Sequence, residues 1–353
     1  MGLNTQGDNV IIRARAPLRL GFAGGGTDLS PYCDIHGGYV LNATIDRYAY
    51  AVIKENNSQY VKFIAADQQQ EEELPLAAAY ALDKHLALHK AVYNEIVSLY
   101  NANQPLAIEL STFCDAPAGS GLGSSSTLVV AMIRAFMELL NLPLDDYTIA
   151  SLAYKIERID CGLLGGRQDQ FSATFGGFNF MEFYADNRTV INPLRIKNWI
   201  IHELEASLVL FYTGVSRESA NIIFDQSNQL SQGETKTLQA MHSIKLEAVH
   251  MKECLLRGDF NGFVASMHQG WVSKKNTAKT VTTPIIEEIH AAAISAGALA
   301  GKVSGAGGGG FMMFFAPPDK RMQVIRTLER FDGKISNCHF TKHGSQAWRI
   351  HGG

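Results

Sequence analysis

The stretch PAGSGLGSSSTLVVAM, residues 117–132, constrains the fold of this chain more than any other segment. Its first half is a glycine- and serine-rich turn, and its second half is an apolar run with helical spacing. The first N–H groups of a helix have no partners inside the helix, and the helix dipole makes that end positive. A glycine turn lets those groups surround an anion, and serine hydroxyls add donors. The pattern predicts a phosphate-binding loop that opens a helix.

A helix cap, a Walker A loop and a dinucleotide-binding motif each fit this chain less well. A helix N-cap needs one serine, whereas three follow G-S-G-L-G here. A Walker A loop requires a lysine before its final Ser or Thr, and no lysine lies near Ser124. A literal G-x-G-x-x-G occurs at Gly305, Gly307 and Gly310, but it leads into the strand-like FMMFF rather than a helix. We therefore expect a phosphate loop of a different type.

Two further glycine-rich segments lie on either side of this loop in the chain. APLRLGFAGGGTDL, residues 16–29, combines glycines with Arg19 and Asp28, and N-capping of a helix is a rival role for Asp28. KVSGAGGGGFMMFF, residues 302–315, contains more glycines than a tight turn between two strands requires. A backbone that lies closely against a bound ligand explains them better.

Hydrophobic periodicity predicts an α+β chain whose pattern restarts near residue 200. A length of 353 residues also suggests two domains. The predicted strands are 10–16, 39–45, 47–54, 60–65, 106–113, 177–184, 189–192, 208–212, 311–315 and 335–341. The predicted helices are 28–36, 76–100, one from the serine turn to 140, 145–158, 217–229, 234–257, 260–270, 284–296 and 319–331. The acidic residues 71–73 are expected in a solvated loop.

Composition excludes several classes of protein. The formal net charge is −3 with no basic block, which argues against a nucleic-acid surface. Five scattered cysteines form no C-x-x-C pair, so zinc and redox motifs are not indicated and a reducing compartment fits. No apolar run reaches the ~20 residues of a membrane helix, and residues 1–10 lack the apolar core of a signal peptide. We expect a cytoplasmic protein without nucleic-acid or membrane partners.

Taken in order, the three glycine-rich segments resemble the signature motifs of the GHMP kinases, which include galactokinase, homoserine kinase and mevalonate kinase. The resemblance spans residues 16–315. It implies a first domain over residues 1–200, like the second domain of ribosomal protein S5, and a ferredoxin-like domain over residues 201–353. Within the superfamily, the first motif with HGGYVLNATIDRY, residues 36–48, looks most like the bacterial D-glycero-D-manno-heptose 7-phosphate kinases.

The resemblance implies ATP and Mg²⁺ as cofactors, as phosphoryl transfer requires phosphate binding, a divalent cation and a group that deprotonates the acceptor. Asp169 matches the base, Arg19 lies beside it, and Ser125 and Glu157 match the magnesium ligands. The implied ATP-binding residues are Pro117, Gly119, Ser120, Gly121, Leu122, Gly123, Ser124, Ser125 and Ser126.

Each acidic residue also has a simpler role when it is taken alone. Glu157 would be an exposed helix carboxylate paired with Arg158 or Lys155, and Asp169 would be a turn residue. Asp160 is a competing acid, although its place at a helix end favours capping or solvation. Only the joint pattern favours the catalytic roles.

The acceptor site is predicted from the first motif and from the residues around Asp169. Galactokinases carry Glu-His where this chain has Gly25 and Gly26, which argues against galactose. Arg167 is the preferred ligand for a substrate phosphate. Lys274 and Lys275 could also reach such a phosphate, and His85 and His89 could bind a metal, but all four are expected in solvent. The implied substrate-binding residues are Gly25, Gly26, Thr27, Asp28, His36, Gly38, Arg167, Gly307 and Gly308.

The sequence thus predicts an ATP-dependent kinase that phosphorylates an anomeric hydroxyl, with heptose 7-phosphate as the expected acceptor. Two alternatives stay open at this point. One is another anomeric sugar kinase, such as a fucokinase. The other is a non-catalytic relative that senses sugar and nucleotide, although the chain keeps candidates for the base, the metal ligands and the serine loop.

Overall fold

The computed structural model describes residues 10–56, 58–215, 219–231 and 235–351. Its strands, in chain order, are β1 (Val10–Ala23), β2 (Gly38–Glu55), β3 (Tyr60–Ala65), β4 (Gln70–Pro75), β5 (Ile108–Cys114), β6 (Phe178–Phe183), β7 (Thr189–Pro193), β8 (Leu208–Tyr212), β9 (Ala300–Val303), β10 (Phe311–Phe315), β11 (Lys334–Ser336) and β12 (Gln346–His351).

The helices of the described residues divide between the two halves of the chain. In chain order they are α1 (Tyr32–His36), α2 (Ala87–Tyr100), α3 (Ser124–Leu140), α4 (Asp146–Tyr154), α5 (Gln168–Phe175), α6 (Asn198–Ser207), α7 (Ser219–Ser231), α8 (Thr235–Arg257), α9 (Phe260–Lys275), α10 (Pro284–Ser295) and α11 (Pro318–Leu328). Helix α4 continues into a π-helical turn, Lys155–Asp160. The prediction of an α+β chain is confirmed.

The first sheet has the strand order β12-β1-β2-β5-β3-β4; β6 pairs with the start of β2, and β7 pairs with β6. Most neighbours are antiparallel, whereas β3 and β5 are parallel. Strand β12 is antiparallel to β1, so the last described strand lies on the first sheet. Helices α2 and α3 cover this sheet through a core that includes Phe63, Tyr93 and Phe136.

The second sheet has the antiparallel order β11-β8-β10-β9. Strand β10 is the apolar run FMMFF, and its alternate side chains enter two cores because successive residues of a strand point to opposite faces. Met312 and Phe314 pack toward α10 and α11, whereas Met313 and Phe315 pack toward α8, α9 and β1. An apolar core therefore joins the two halves of the chain.

The joint between the halves is aromatic. Phe22 of β1, Phe263 of α9 and Phe315 of β10 form a chain of ring contacts, with centroid distances of 5.7 Å and 5.3 Å for the two pairs that include Phe263. Such pairs add to the free energy gained by burying their area. The halves consequently pack against each other beside the first glycine-rich segment.

Several element boundaries differ from the sequence prediction. Strand β1 does not end at Pro17; the pairing with β2 shifts register between Pro17 and Arg19, and the strand then continues to Ala23. A register shift accommodates a proline that cannot donate to the ladder. Residues 71–73 lie in β4 rather than in a loop, with Glu72 paired to Lys90.

The predicted helix 76–100 is shorter and more buried than expected. It begins only at Ala87, and the prediction that His89 lies on a solvated face is wrong, because His89 is buried. His89 bonds Thr112 Oγ1 through Nε2 at 2.8 Å, and burial lowers the pKa of its imidazole to about 4. Lys90 is 2% exposed and pairs with Glu72 and Asp83. Paired carboxylates allow this lysine to be buried.

Helix α5, helix α6 and strands β9 and β12 were not predicted. Asp28 does not cap α1, because the N-cap of that helix is Pro31. Residues 217 and 234, where two helices were predicted to begin, lie outside the described residues, as do residues 1–9. Among the residues that the structure describes, no helix is long and apolar enough to cross a membrane.

Candidate active site

A cavity lies where the three glycine-rich segments meet. Both halves of the chain line it. The first half contributes Arg19, Gly25, Asp28, Gly121, Ser125 and Asp169, and the second half contributes Gln226, Glu247, Ser266, Lys274, Lys302 and Gly305, among others.

The phosphate loop has the backbone that its glycines predicted. Gly119, Gly121 and Gly123 have φ of 72°, 79° and 79°, in the left-handed region that glycine adopts without strain. Helix α3 begins at Ser124 without a side-chain cap, so its first N–H groups are available to an anion. Gly119, Gly121, Gly123, Ser124 and Ser125 line the cavity.

The other predicted ATP-binding residues support the loop from behind. Ser120 and Leu122 are buried, and the Ser124 hydroxyl contacts the Pro117 carbonyl at 3.5 Å. Ser126 is buried and accepts hydrogen bonds of 3.1 Å from Arg158 and Gln170.

The third glycine-rich segment holds the phosphate loop in place. Ser304 donates a 2.9 Å hydrogen bond to the Gly121 carbonyl, and the Phe311 amide donates to the Ser120 carbonyl at 2.9 Å. Gly305 lines the cavity. Gly307 and Gly308 lie against Val281 instead, with the Gly308 amide donating to the Val281 carbonyl at 2.8 Å. A Cβ atom on Gly307 would overlap the Val281 backbone, and Gly308 has a φ of 76°, in the left-handed region that favours glycine.

Asp169 and Arg19 form an ion pair at the edge of the phosphate loop. Nε and Nη2 of Arg19 each lie 2.7 Å from Asp169 Oδ1, and Nη1 donates to the Gly121 carbonyl at 2.6 Å. A Cβ atom on Gly123 would lie 3.0 Å from the carboxyl carbon of Asp169, so a larger residue would crowd this carboxylate. The pair thus brings a carboxylate and a guanidinium to the glycine loop that precedes α3.

Glu157 is fully buried, so its interpretation as an exposed helix carboxylate is wrong. Ser125 Oγ donates to Glu157 Oε1 at 2.7 Å, and Gln170 Nε2 donates to Oε2 at 2.7 Å. Arg158 lies 3.3 Å from the same carboxylate. The π-helical turn places Glu157 here, with the Cys161 amide donating to the Ile156 carbonyl five residues earlier. Asp160, by contrast, pairs with Lys155.

Asp28 is buried in the wall of the cavity. Its carboxylate accepts hydrogen bonds of 3.1 Å from the Gly26 amide, the Gln168 amide and Gln168 Nε2. A Cβ atom on Gly166 would overlap this carboxylate, which explains the glycine. A carboxylate offers about four acceptor positions, so one position stays available to a ligand hydroxyl.

Two lysines of the second half reach into the same cavity, which corrects the expectation that Lys274 is solvated. Lys274 is 8% exposed, and its ammonium donates to the Gly25 carbonyl at 2.8 Å. Lys302 donates to the carbonyls of Gly21 and Phe22 at 2.9 Å and 3.0 Å. Burial lowers the pKa of Lys274 to about 8 and that of Lys302 to about 7. Lys275 pairs with Glu287.

The remaining predicted substrate residues lie behind the cavity wall rather than among its described lining. Arg167 is 4% exposed, pairs with Asp34 at 3.1 Å and donates to the Tyr184 carbonyl at 3.0 Å. His36 contacts the rings of Tyr32 and His242. Thr27 bonds the backbone of Tyr39, and Gly38 allows close approach to the Thr27 carbonyl.

Sequence reasoning missed the residues that hold the acids. Gln168 and Gln170 stand on either side of Asp169 and bond Asp28 and Glu157. The signal in the sequence was their position directly before and after Asp169, which could have indicated that their amides support the acidic residues of the site. Lys302 opens the third glycine-rich segment, and a lone lysine in an apolar strand could have marked a buried cation.

A glycine loop at a helix N-terminus, beside an Asp–Arg pair in one cavity, is typical of a kinase that acts on small molecules. Two family models match the chain: "GHMP kinases N terminal domain" over residues 77–177 and "GHMP kinases C terminal" over residues 251–334. The chain belongs to the GHMP kinase family, whose members are ATP-dependent phosphotransferases. The predicted family and the predicted fold are confirmed.

Individual relatives support this placement. The chain is 48% identical to the D-glycero-alpha-D-manno-heptose 7-phosphate kinase of Campylobacter jejuni, over 96% of this chain and 99% of that protein. A solved D-glycero-D-manno-heptose 1-phosphate kinase from Bacteroides thetaiotaomicron has a TM-score of 0.82 and 42% identity, over 97% of this chain and 100% of that one. The L-fucokinase/L-fucose-1-P guanylyltransferase of Bacteroides fragilis is 24% identical over 90% of this chain and 36% of that protein.

Proposed function

We propose that the protein transfers the γ-phosphate of ATP to the anomeric hydroxyl of D-glycero-D-manno-heptose 7-phosphate, giving the 1,7-bisphosphate. The observation that carries this proposal is the Asp169–Arg19 pair against the phosphate loop, in a cavity that also holds Asp28. The relatives' names support a heptose phosphate acceptor, although one places the existing phosphate at position 7 and the other at position 1.

In this proposal, Asp169 is the general base. The acceptor oxygen forms a bond to the γ-phosphorus, the bond from that phosphorus to the ADP oxygen breaks, and the acceptor proton passes to Asp169. Arg19 orients the carboxylate by two contacts to Oδ1, and its charge also stabilises the phosphoryl group in transfer. Asp28, fixed by the backbone and side chain of Gln168, accepts a sugar hydroxyl.

The residues Ser125 and Glu157 fit a magnesium site. Magnesium prefers oxygen ligands and binds few protein groups besides phosphates and water, and these two residues supply a hydroxyl and a carboxylate 2.7 Å apart. Within the described residues there is no cluster of three or more acidic, His or Cys side chains that would offer a rival site. The cation, when bound, neutralises charge on the β- and γ-phosphates.

The first of the alternatives, a fucokinase, has less support. The chain is 24% identical to the B. fragilis protein, against 48% for the C. jejuni kinase, and it spans about a third of the B. fragilis protein's length. The non-catalytic sensor is also disfavoured, because the candidate base Asp169 and Ser125 of the glycine loop line one cavity, and Glu157, the other proposed cation ligand, bonds Ser125.

Two broader expectations are part of the same proposal. The halves 1–200 and 201–353 act as the two domains of the kinase, with the last strand crossing back to the first sheet. All five cysteines are free thiols, which fits a reducing cytoplasm.

The acceptor and the site of phosphorylation are tested together by product analysis. The wild-type protein is incubated with ATP, Mg²⁺ and either heptose 7-phosphate, heptose 1-phosphate or free heptose, and ADP release is measured. We expect the fastest release with the 7-phosphate, and phosphorus NMR should locate the new phosphate on the anomeric oxygen. Preference for the free sugar, or a new phosphate at another position, would contradict the proposal.

The cation site makes a separate prediction. Ser125→Ala and Glu157→Gln each remove one proposed ligand, so both should raise the Mg²⁺ concentration that gives half-maximal rate. The measurement is a magnesium titration at saturating ATP and acceptor. Asp160→Gln is a matched control, because Asp160 belongs to the same π-helical turn but pairs with Lys155. An unchanged magnesium requirement in both test variants would remove these residues from the site.

A further inference from the structure

Lys274, which is buried, and Lys302, which is half-buried, are two cations in one cavity. Both ammonium groups contact backbone carbonyls: Lys274 that of Gly25, and Lys302 those of Gly21 and Phe22. In the described part of the chain, neither has a carboxylate within ion-pair distance, whereas the buried Lys90 has two. Carbonyl dipoles compensate a buried charge only in part, so an anion in this position would stabilise both lysines.

The electrostatic surroundings of the two lysines point the same way. Burial lowers the pKa of each, and the charges of Lys274 and Arg19 lower that of Lys302 further. The negative charge of Asp28, by contrast, raises the pKa of Lys274. Asp169 and Glu247 are further carboxylates in the lining of the cavity. The lining nevertheless carries four cationic side chains against these three carboxylates, namely those of Arg19, Arg158, Lys274 and Lys302.

The placement along β1 separates the lysines from the reacting centre. Arg19 marks the Asp169 end, and the Lys302 contacts lie two and three residues further on, at Gly21 and Phe22. At about 3.3 Å per residue this is roughly 7–10 Å, the scale of a sugar whose reacting hydroxyl and phosphate are at opposite ends. The ammonium group of Lys274 lies further from Arg19 along the chain, where it contacts Gly25 and lies close to Gly26.

We propose that Lys274 and Lys302 together bind the phosphate that the acceptor already carries. The inference rests on the proposed function, since it requires a sugar phosphate as acceptor. It assigns the task to these lysines instead of Arg167, whose guanidinium is engaged by Asp34 and the Tyr184 carbonyl. The site thus selects an acceptor with a dianionic group at the end remote from the reacting hydroxyl.

The test compares two acceptors in four proteins. The wild type, Lys274→Met, Lys302→Met and the control Lys275→Met are assayed with heptose 7-phosphate and with free heptose, and kcat/KM is measured for each. Lys275 is the adjacent lysine of α9 and pairs with Glu287 outside the cavity lining. We expect each test variant to lose about 10- to 100-fold of the preference for the phosphorylated acceptor, as for a lost charge-assisted hydrogen bond. The control should keep the preference.

The possible failures are distinguishable. A wild-type protein without preference for the phosphorylated acceptor contradicts the proposed function itself. A wild-type preference that persists in both variants overturns only the role of the lysines. A raised KM for ATP with unchanged discrimination between acceptors also overturns it, because the lysines would then serve the nucleotide.

A measurement on the wild type keeps the inference testable even if a variant does not fold. Deprotonation of a lysine removes its charge, and the free site loses protons around pH 7–8. We expect KM for heptose 7-phosphate to rise from pH 7 to pH 9, while KM for free heptose stays nearly constant. A parallel change for both acceptors would overturn the inference.

Discussion

Replacement of Asp169 by asparagine is expected to reduce kcat by about 10²–10⁴-fold, the contribution of a positioned general base. The amide keeps an oxygen that can accept from Arg19, whose Nε and Nη2 both contact Oδ1 in the native protein. The variant should therefore fold and bind ATP nearly as the wild type does. The measurements are kcat at saturating substrates and the dissociation constant of ATP by calorimetry.

The control for this variant is Asp160→Asn, which changes a carboxylate of the π-helical turn that pairs with Lys155. It should leave kcat nearly unchanged. A kcat of Asp169→Asn within about threefold of the wild type would remove Asp169 from the role of base, since a base contributes far more. Weakened ATP binding in proportion to the lost rate would instead indicate that Asp169 shapes the phosphate loop.

Replacement of Arg19 by methionine should have the second largest effect, a loss of about 10²–10³-fold in kcat/KM. The guanidinium holds Asp169, donates to the Gly121 carbonyl and lies close to the Ser304 hydroxyl. Its removal leaves Asp169 without its ionic partner. It also removes the positive charge that would stabilise the negatively charged phosphoryl group during transfer. Arg19→Lys should recover only part of the activity, because an ammonium cannot reproduce the forked contacts.

Two further variants test whether Arg19 acts in catalysis together with Asp169. Arg134→Met removes an arginine that pairs with Asp146 outside the lining of the active-site cavity, and it should leave kcat/KM nearly unchanged. The double variant of Arg19→Met and Asp169→Asn should lose much less than the product of the single losses, since the residues act together. Fully multiplicative losses would show that Arg19 and Asp169 act independently.

The local features of the site could be predicted from the sequence. The start of α3 at Ser124 follows from the glycine–serine turn and the apolar run, which are signals within a few residues. The sequence likewise indicated that the third glycine-rich segment lies against a ligand, and Gly305 of that segment lines the cavity. The roles of Asp169, Ser125 and Glu157 are still predictions, although the structure brings them to that cavity or its wall.

What could not be predicted depends on contacts between distant parts of the chain. Lys274 is buried because α9 packs against β9 and the first glycine-rich segment, which no local pattern reveals. Arg167 was preferred as a phosphate ligand from its position near Asp169, but its partner Asp34 comes from α1. Strand β12 pairs with β1 across nearly the whole chain. Periodicity identifies strands and helices, but it does not identify their partners.

The π-helical turn Lys155–Asp160 has a consequence for how this protein can vary. A π turn closes its hydrogen bonds one residue later than an α turn, as the Cys161–Ile156 bond does here. It is therefore equivalent to a single-residue insertion in the helix that carries Glu157. Loss of one residue from this segment would restore an ordinary helix and turn Glu157 away from Ser125 without altering any glycine loop. The length of this segment therefore determines the position of Glu157 as much as the identity of its residues does.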